Sequence, residues 1–213
     1  MRTFNLIDTL IIEADHAIRA LIPPIKRIST RLSPASPLPE SALTINEKKH
    51  IAGLMRVNHA GEVCAQALYQ GQALTAQLTH VKKQMNEAAM EEIDHLAWCE
   101  QRLNELNSHP SVFNPLWYAG SLILGAIAGL AGDNISLGFV AETERQVTSH
   151  LQKHLQDIPA GDVKTVAILQ RMQEDEEYHA LTAVKAGATE LPFIIKRGMT
   201  LVAKIMTKTS YYI

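Results

Sequence analysis

Cysteine is nearly missing from this chain. Cys64 and Cys99 are the only two, too few for a disulfide framework or for a four-cysteine metal site. A reducing compartment is the expectation. Proline is scarce after residue 39: five of the nine prolines lie at positions 23–39, which leaves the rest free to form long helices. Aromatic residues make up 5% of the chain against 46% hydrophobic residues overall. The core must therefore be aliphatic and alanine-rich, which favours helices packed on helices. A net charge of −2 carries no basic signature for nucleic acid. No apolar run reaches the ~20 residues that a membrane-spanning helix needs. The N-terminal apolar stretch is broken by Asp8, Glu13, Asp15 and His16 and meets no small-residue cleavage site. It does not read as a secretory signal, and its acids argue against a transit peptide.

What remains is patterned. With 213 residues the chain suits one domain with an appendage. Residues 1–43 are the appendage: an amphipathic helix over 3–22, then a linker with Pro23, Pro24, Pro34, Pro37 and Pro39. Arg19, Lys26, Arg27 and Arg31 make its end basic, as in a helix that lies on an anionic membrane surface. Residues 44–213 form the main domain. Thr44-Ile45-Asn46-Glu47 is a capping box that opens a helix over 44–77. Further helices are predicted over 79–107, 115–131, 134–157 and 162–187, with a basic amphipathic helix over 191–207. The 115–131 segment is the most apolar. Trp117, Tyr118, Leu122 and Leu124 on it are candidates to face a membrane or a lipid-like substrate.

Chemistry enters through Glu-x-x-His. It occurs four times, at Glu13/His16, Glu47/His50, Glu92/His95 and Glu176/His179. Positions i and i+3 share a helix face, so each pair aims a carboxylate and an imidazole the same way. Only the last two sit mid-helix on apolar stripes, where a charged Glu needs a partner or a metal. Only these two follow an acid, Glu91 or Asp175, placed to hydrogen-bond a metal-binding histidine on a neighbouring helix. The spacing also repeats: Glu62 lies 30 residues before Glu92, and Glu144 lies 32 before Glu176. Glu144 falls in line with Leu137, Val140, Ala141 and Leu151, whereas Glu142 falls with Arg145 and Gln146.

The predicted metal-ligand set is Glu62, Glu92, His95, Glu144, Glu176 and His179, supported by Glu91, Asp175 and His59. One Glu from each of two helices plus Glu-x-x-His from each of two others is the donor set of ferritin-like di-iron or di-manganese sites. The predicted fold is all-α, a ferritin-like four-helix bundle with an extra apolar, membrane-facing helix and terminal amphipathic helices. Hard oxygen donors with one imidazole per ion favour iron or manganese over zinc or copper. His150 and His154 are assigned to a solvent face, and Cys99 to the core.

Asn58-His59-Ala60-Gly61-Glu62, Glu91-Glu92-Ile93-Asp94-His95, Ala141-Glu142-Thr143-Glu144 and Asp175-Glu176-Glu177-Tyr178-His179 together resemble the demethoxyubiquinone hydroxylases of ubiquinone biosynthesis. The resemblance covers residues 44–213. It implies two iron ions per chain rather than manganese, O2 as co-substrate, and ring hydroxylation of 2-polyprenyl-3-methyl-6-methoxy-1,4-benzoquinol. It implies a reductant, other ubiquinone-biosynthesis proteins as partners, no nucleic acid, and a peripheral place on the cytoplasmic face of a bacterial inner membrane. Competing readings are a ferritin- or rubrerythrin-like protein handling iron or peroxide, a di-iron hydroxylase acting on tRNA, and a metal-free, membrane-associated helical module.

Overall fold

The computed structural model describes residues 6–22, 27 and 29–213, with the backbone alone at residues 6, 7, 9 and 10. Residues 3–5 of the expected first helix, and Pro23, Pro24 and Lys26, lie outside the described residues. Among the described residues there are seven helices and no strand. They are α1 (Leu6–Leu21), α2 (Ile45–Thr75), α3 (Thr79–Glu105), α4 (Asn114–Leu130), α5 (Asp133–Asp157), α6 (Val163–Lys185) and α7 (Phe193–Tyr212).

Helix α2 is the hub. Twenty of its 31 residues are buried, on every side, so no single face is left for solvent. It starts where the sequence says it should. Thr44 accepts from the Glu47 backbone N–H, and the Glu47 side chain returns a bond to the Thr44 backbone, a cap worth about 1 kcal/mol. Helices α2, α3, α5 and α6 form the bundle, with α2 against α3 and α5 against α6. Outside it, α1, α4 and α7 all lie against α2.

The α2–α4 crossing is close because glycine sits on both sides of it. A side-chain carbon at Gly71 would meet the Leu122 carbonyl, one at Gly125 the Leu68 carbonyl, and one at Gly129 the Thr75 side chain. Small residues let helix backbones approach until main chains touch. This contact decides which way α4 faces. Tyr118 is buried and Leu122 packs beside it in a cluster with Val63, Ala67 and Leu96. Trp117 is half-buried and its Nε1 donates to Ser210 Oγ at 3.1 Å. Of the four residues expected to face a membrane or substrate, only Leu124 is exposed. Tyr118 instead turns inward because its hydroxyl donates to Gln70 on α2. The outward face carries Leu116, Ile123, Leu124, Ile127 and Leu130.

Two further expectations are corrected. Helix α7 continues five residues past the predicted end at 207, because its last turn is anchored. The Tyr211 ring fills the space over Gly53 on α2, and its hydroxyl bonds His50 Nδ1 at 2.7 Å. His150 and His154 are not on a solvent face. His154 is buried, and the two rings lie 3.9 Å apart. Burial, and then the neighbouring His150, push the His154 imidazole down to about 3, so it is neutral at ordinary pH.

Candidate metal centre

The bundle interior is apolar at both ends and polar in the middle. One cluster holds Met55, Cys99, Leu103, Leu169 and Met172. The other holds Ala65, Tyr69, Met85, Val140 and Ala183. On every bundle helix the candidate ligand falls between a residue of one cluster and a residue of the other: Glu62 between Met55 and Ala65, His95 between Met85 and Cys99, Glu144 between Val140 and Leu151, Glu176 between Met172 and Ala183. Side chains therefore meet in a polar layer closed off above and below by packed aliphatic residues.

All six predicted side chains enter that layer, and each is at most 7% exposed. Donor atoms of Glu62, Glu92, His95 and Glu176 lie within 4.8 Å of one another, as do those of Glu144, Glu176 and His179. Glu176 belongs to both groups. Its Oε1 lies 3.2 Å from His95 Nδ1 and its Oε2 3.2 Å from His179 Nδ1. Glu92 mirrors it, with Oε2 3.1 Å from His95 Nδ1 and Oε1 3.5 Å from His179 Nδ1. The two Glu of the Glu-x-x-His pairs thus straddle both imidazoles. Glu62 lies on the His95 side, its Oε2 3.5 Å from Nδ1. Glu144 shares the other group with His179 and accepts a hydrogen bond from the buried Tyr69 hydroxyl.

Both imidazoles turn Nδ1 into the carboxylate layer and Nε2 out of it. His95 Nε2 meets Asp175 Oδ2 of α6 at 3.0 Å, and His179 Nε2 meets Glu91 Oε2 of α3 at 2.5 Å. Each acid lies one residue before a candidate ligand and reaches the histidine of the opposite helix. His59 does not join them. Its Nε2 bonds Glu100 at 3.3 Å and its Nδ1 bonds Asn114 at 3.2 Å, which ties α2 to α3 and α4 outside the carboxylate layer.

Electrostatics point to a site built for cations. Burial, then the Glu92 carboxylate, push the Glu62 carboxyl well above its usual range. Burial, then Glu176, do the same to Glu144. Burial opposes charge on His95, yet Glu92, Asp175 and Glu176 hold its imidazolium well above the normal value. Burial likewise opposes charge on His179, and Glu176 with Glu92 raise it to about 9. Protons thus gather where like charges would otherwise repel. A divalent ion could take the place of such protons, since carboxylates and imidazoles bind metal in their deprotonated forms. Glu92 Oε1 is fully buried without a hydrogen-bond partner, as expected of an oxygen that awaits a ligand.

Sequence reasoning missed the roles of Arg27 and Arg31. Arg27 and Arg31 were expected at a membrane surface. Both turn inward, because buried acids on α3 and α6 outcompete water for them. Arg27 holds Glu100 with Nε and Nη2 at 3.0 and 2.7 Å. Arg31 holds Asp94 and Asp175 at 2.8 and 2.7 Å. The one available signal was Asp94, a buried acid between Glu92 and His95 with no partner on its own helix.

A four-helix bundle that converges four Glu and two His in a closed layer, each His backed by a carboxylate, is of the ferritin-like carboxylate class, with side chains placed where they could hold metal. The family model of the ubiquinone biosynthesis protein COQ7 matches residues 49–210. The chain is 68% identical to a 3-demethoxyubiquinol 3-hydroxylase of Legionella pneumophila (strain Paris) and 56% identical to one of Acinetobacter baumannii (strain ATCC 17978), over the full length of all three proteins. The chain belongs to the COQ7 family.

Proposed function

We propose that the chain is a di-iron monooxygenase that hydroxylates the ring of 2-polyprenyl-3-methyl-6-methoxy-1,4-benzoquinol in ubiquinone biosynthesis. The observation that carries this reading is the paired arrangement of Nδ1 and Nε2: two imidazoles that face shared carboxylates and are backed by Asp175 and Glu91. Glu62 and His95 would hold one ion, Glu144 and His179 the other, and Glu92 and Glu176 would contact both. Bound iron supplies the electrons and Lewis acidity for O2 reduction. The chain's own residues do the rest. Asp175 and Glu91 fix each imidazole's tautomer and direction. Tyr69 holds one oxygen of Glu144. The Met55–Met172 and Val140–Ala183 clusters keep bulk water away from the reacting ring.

The overall balance inserts one oxygen atom of O2 into a ring C–H bond and releases the other as water, with two electrons and two protons from a reductant. Turnover of the iron-loaded protein with this quinol under 18O2 tests it. One 18O in the new ring hydroxyl is expected. No hydroxylated product, or a hydroxyl drawn from water, overturns the reading.

The same reading places the protein on a membrane, because its substrate carries a polyprenyl tail. No helix among the described residues is long and apolar enough to cross a bilayer. The support is instead the apolar residues left exposed on three helices: Ile123, Ile127 and Leu130 on α4, Phe193, Ile194, Leu201 and Ile205 on α7, and Ile18 on α1. Lys204, Lys208 and Arg197 add positive charge along α7. Such helices lie in the headgroup region of an anionic bilayer. Ile123→Asp/Ile127→Asp is expected to lose flotation with anionic vesicles while keeping its helical circular dichroism. Undiminished flotation would refute this face.

A further inference from the structure

The two halves of the centre are not held alike, and the difference lies in Arg31. This residue belongs to the segment before the bundle begins, yet its guanidinium bridges two bundle helices. Nε donates to Asp94 Oδ2 on α3 at 2.8 Å, and Nη1 donates to Asp175 Oδ2 on α6 at 2.7 Å. That same Asp175 oxygen meets His95 Nε2 at 3.0 Å, while Asp175 Oδ1 accepts from Arg171 at 2.6 Å. The carboxylate behind His95 is therefore gripped from three sides.

The grip is itself secured. The Arg31 guanidinium lies 4.9 Å from the centre of the Trp98 ring, which in turn lies 5.3 Å from the His95 ring. Trp98 Nε1 donates to the Arg31 carbonyl at 3.4 Å. Thr30 adds its backbone N–H and hydroxyl to Asp94 at 2.6 and 2.8 Å. A planar guanidinium with two anchored hydrogen bonds and an aromatic face has little freedom left.

The other half has no counterpart. Glu91, behind His179, has a side chain 51% exposed, and His179 is its one hydrogen-bond or ion-pair partner in the described structure. It opens onto a cleft of about 480 Å³ shared with Tyr178, Arg171 and Arg31. An unpinned carboxylate on a flexible side chain orients its histidine less firmly than one held in place.

We infer that Arg31 is a positioning residue that, through Asp175 and His95, makes the Glu62–His95 half of the centre the tighter of two unequal metal positions. The inference rests on the dinuclear reading above. Arg31 touches no candidate ligand directly. It acts by holding α3 to α6 beside the site and by fixing the acid that aims the His95 ring.

The test is a stepwise Co(II) titration of metal-free, full-length protein, read by visible absorption and by direct metal analysis. Wild type is expected to bind two ions in two resolved steps. Arg31→Ala should weaken the first step by about tenfold or more, the low end of what an outer hydrogen-bonding partner costs, and shift its absorption bands. Arg31→Lys should restore part of the affinity. Glu91→Ala should weaken the second step alone. Arg27→Ala is the control: it frees the same segment from Glu100 but leaves Asp175 held, and the first step should stay. Circular dichroism confirms that each variant is folded. Two resolved steps in wild type with no change in Arg31→Ala, or equal weakening in Arg27→Ala, would overturn the inference and leave the dinuclear reading standing. No Co(II) binding by wild type would overturn that reading itself.

Discussion

Glu176→Ala is expected to abolish hydroxylation and to empty the centre of iron. Glu176 is the side chain common to both donor groups, 3.2 Å from each histidine Nδ1. Its loss takes a ligand from both ion positions at once, whereas Glu62→Ala or Glu144→Ala takes one from a single position. Loss of a mere outer partner costs roughly 10–100-fold in metal affinity, so removal of a shared ligand should exceed that range. Without metal, Glu176 is one of four carboxylates crowded into a buried layer, and burial acts against its charge although His179 and His95 hold its carboxyl below the usual range. Because the net shift is downward, the Glu176 carboxylate stabilises the metal-free fold at neutral pH, so the metal-free variant should melt somewhat lower than metal-free wild type while keeping its helical circular dichroism. Metal content and turnover on the purified variant check this. Full activity with unchanged iron would sink the ligand assignment.

Arg102→Ala is expected to do the opposite: to spare the centre and undermine the fold. Arg102 is fully buried on α3, seven residues past His95. Its Nη2 holds Asp162 at 2.9 Å, Nε holds Thr165 Oγ1 at 2.9 Å, and Nη1 holds Glu40 and Glu105 at 2.9 and 2.8 Å. Asp162 is itself fully buried and caps α6 through the Thr165 N–H. With the guanidinium gone, a buried charge stays behind at the helix start, a loss of about 3–5 kcal/mol. At ~2–4 °C per kcal/mol for a chain of this size, the melting temperature should drop on the order of 10 °C. Iron per folded molecule should be unchanged. A loss below about 1 kcal/mol in chemical denaturation would contradict the assignment of Arg102 as the tie between α3 and α6.

How much of this could be read in advance depended on whether a residue's surroundings lie along its own helix. The capping box follows from the local Thr44-x-x-Glu47 pattern, and the bundle helices and the choice of Glu144 over Glu142 follow from periodicity of 3.6 residues, which marks the inner face wherever polar residues mark the outer one. Helix α4 has no such marks. It is apolar all round, so sequence located it but not its orientation, and Tyr118, expected to face outward, is buried. The Gly71–Gly125 approach that turns it inward is a contact between two helices. Arg31 failed for a related reason. Its partner Asp175 lies 144 residues away, and a basic residue beside prolines looks like a surface charge until the acids across the chain are in view. His150 and His154 were set outside because Gln152 and Lys153 flank them in sequence; the tertiary burial of His154 was invisible locally.

The central claim is that Glu92 and Glu176 hold two metal ions side by side between His95 and His179. Mössbauer spectroscopy of the 57Fe-loaded protein, with iron counted per chain, tests it most directly. The account predicts two irons per chain that form an exchange-coupled pair in the oxidised state. A single, magnetically isolated iron per chain would contradict it.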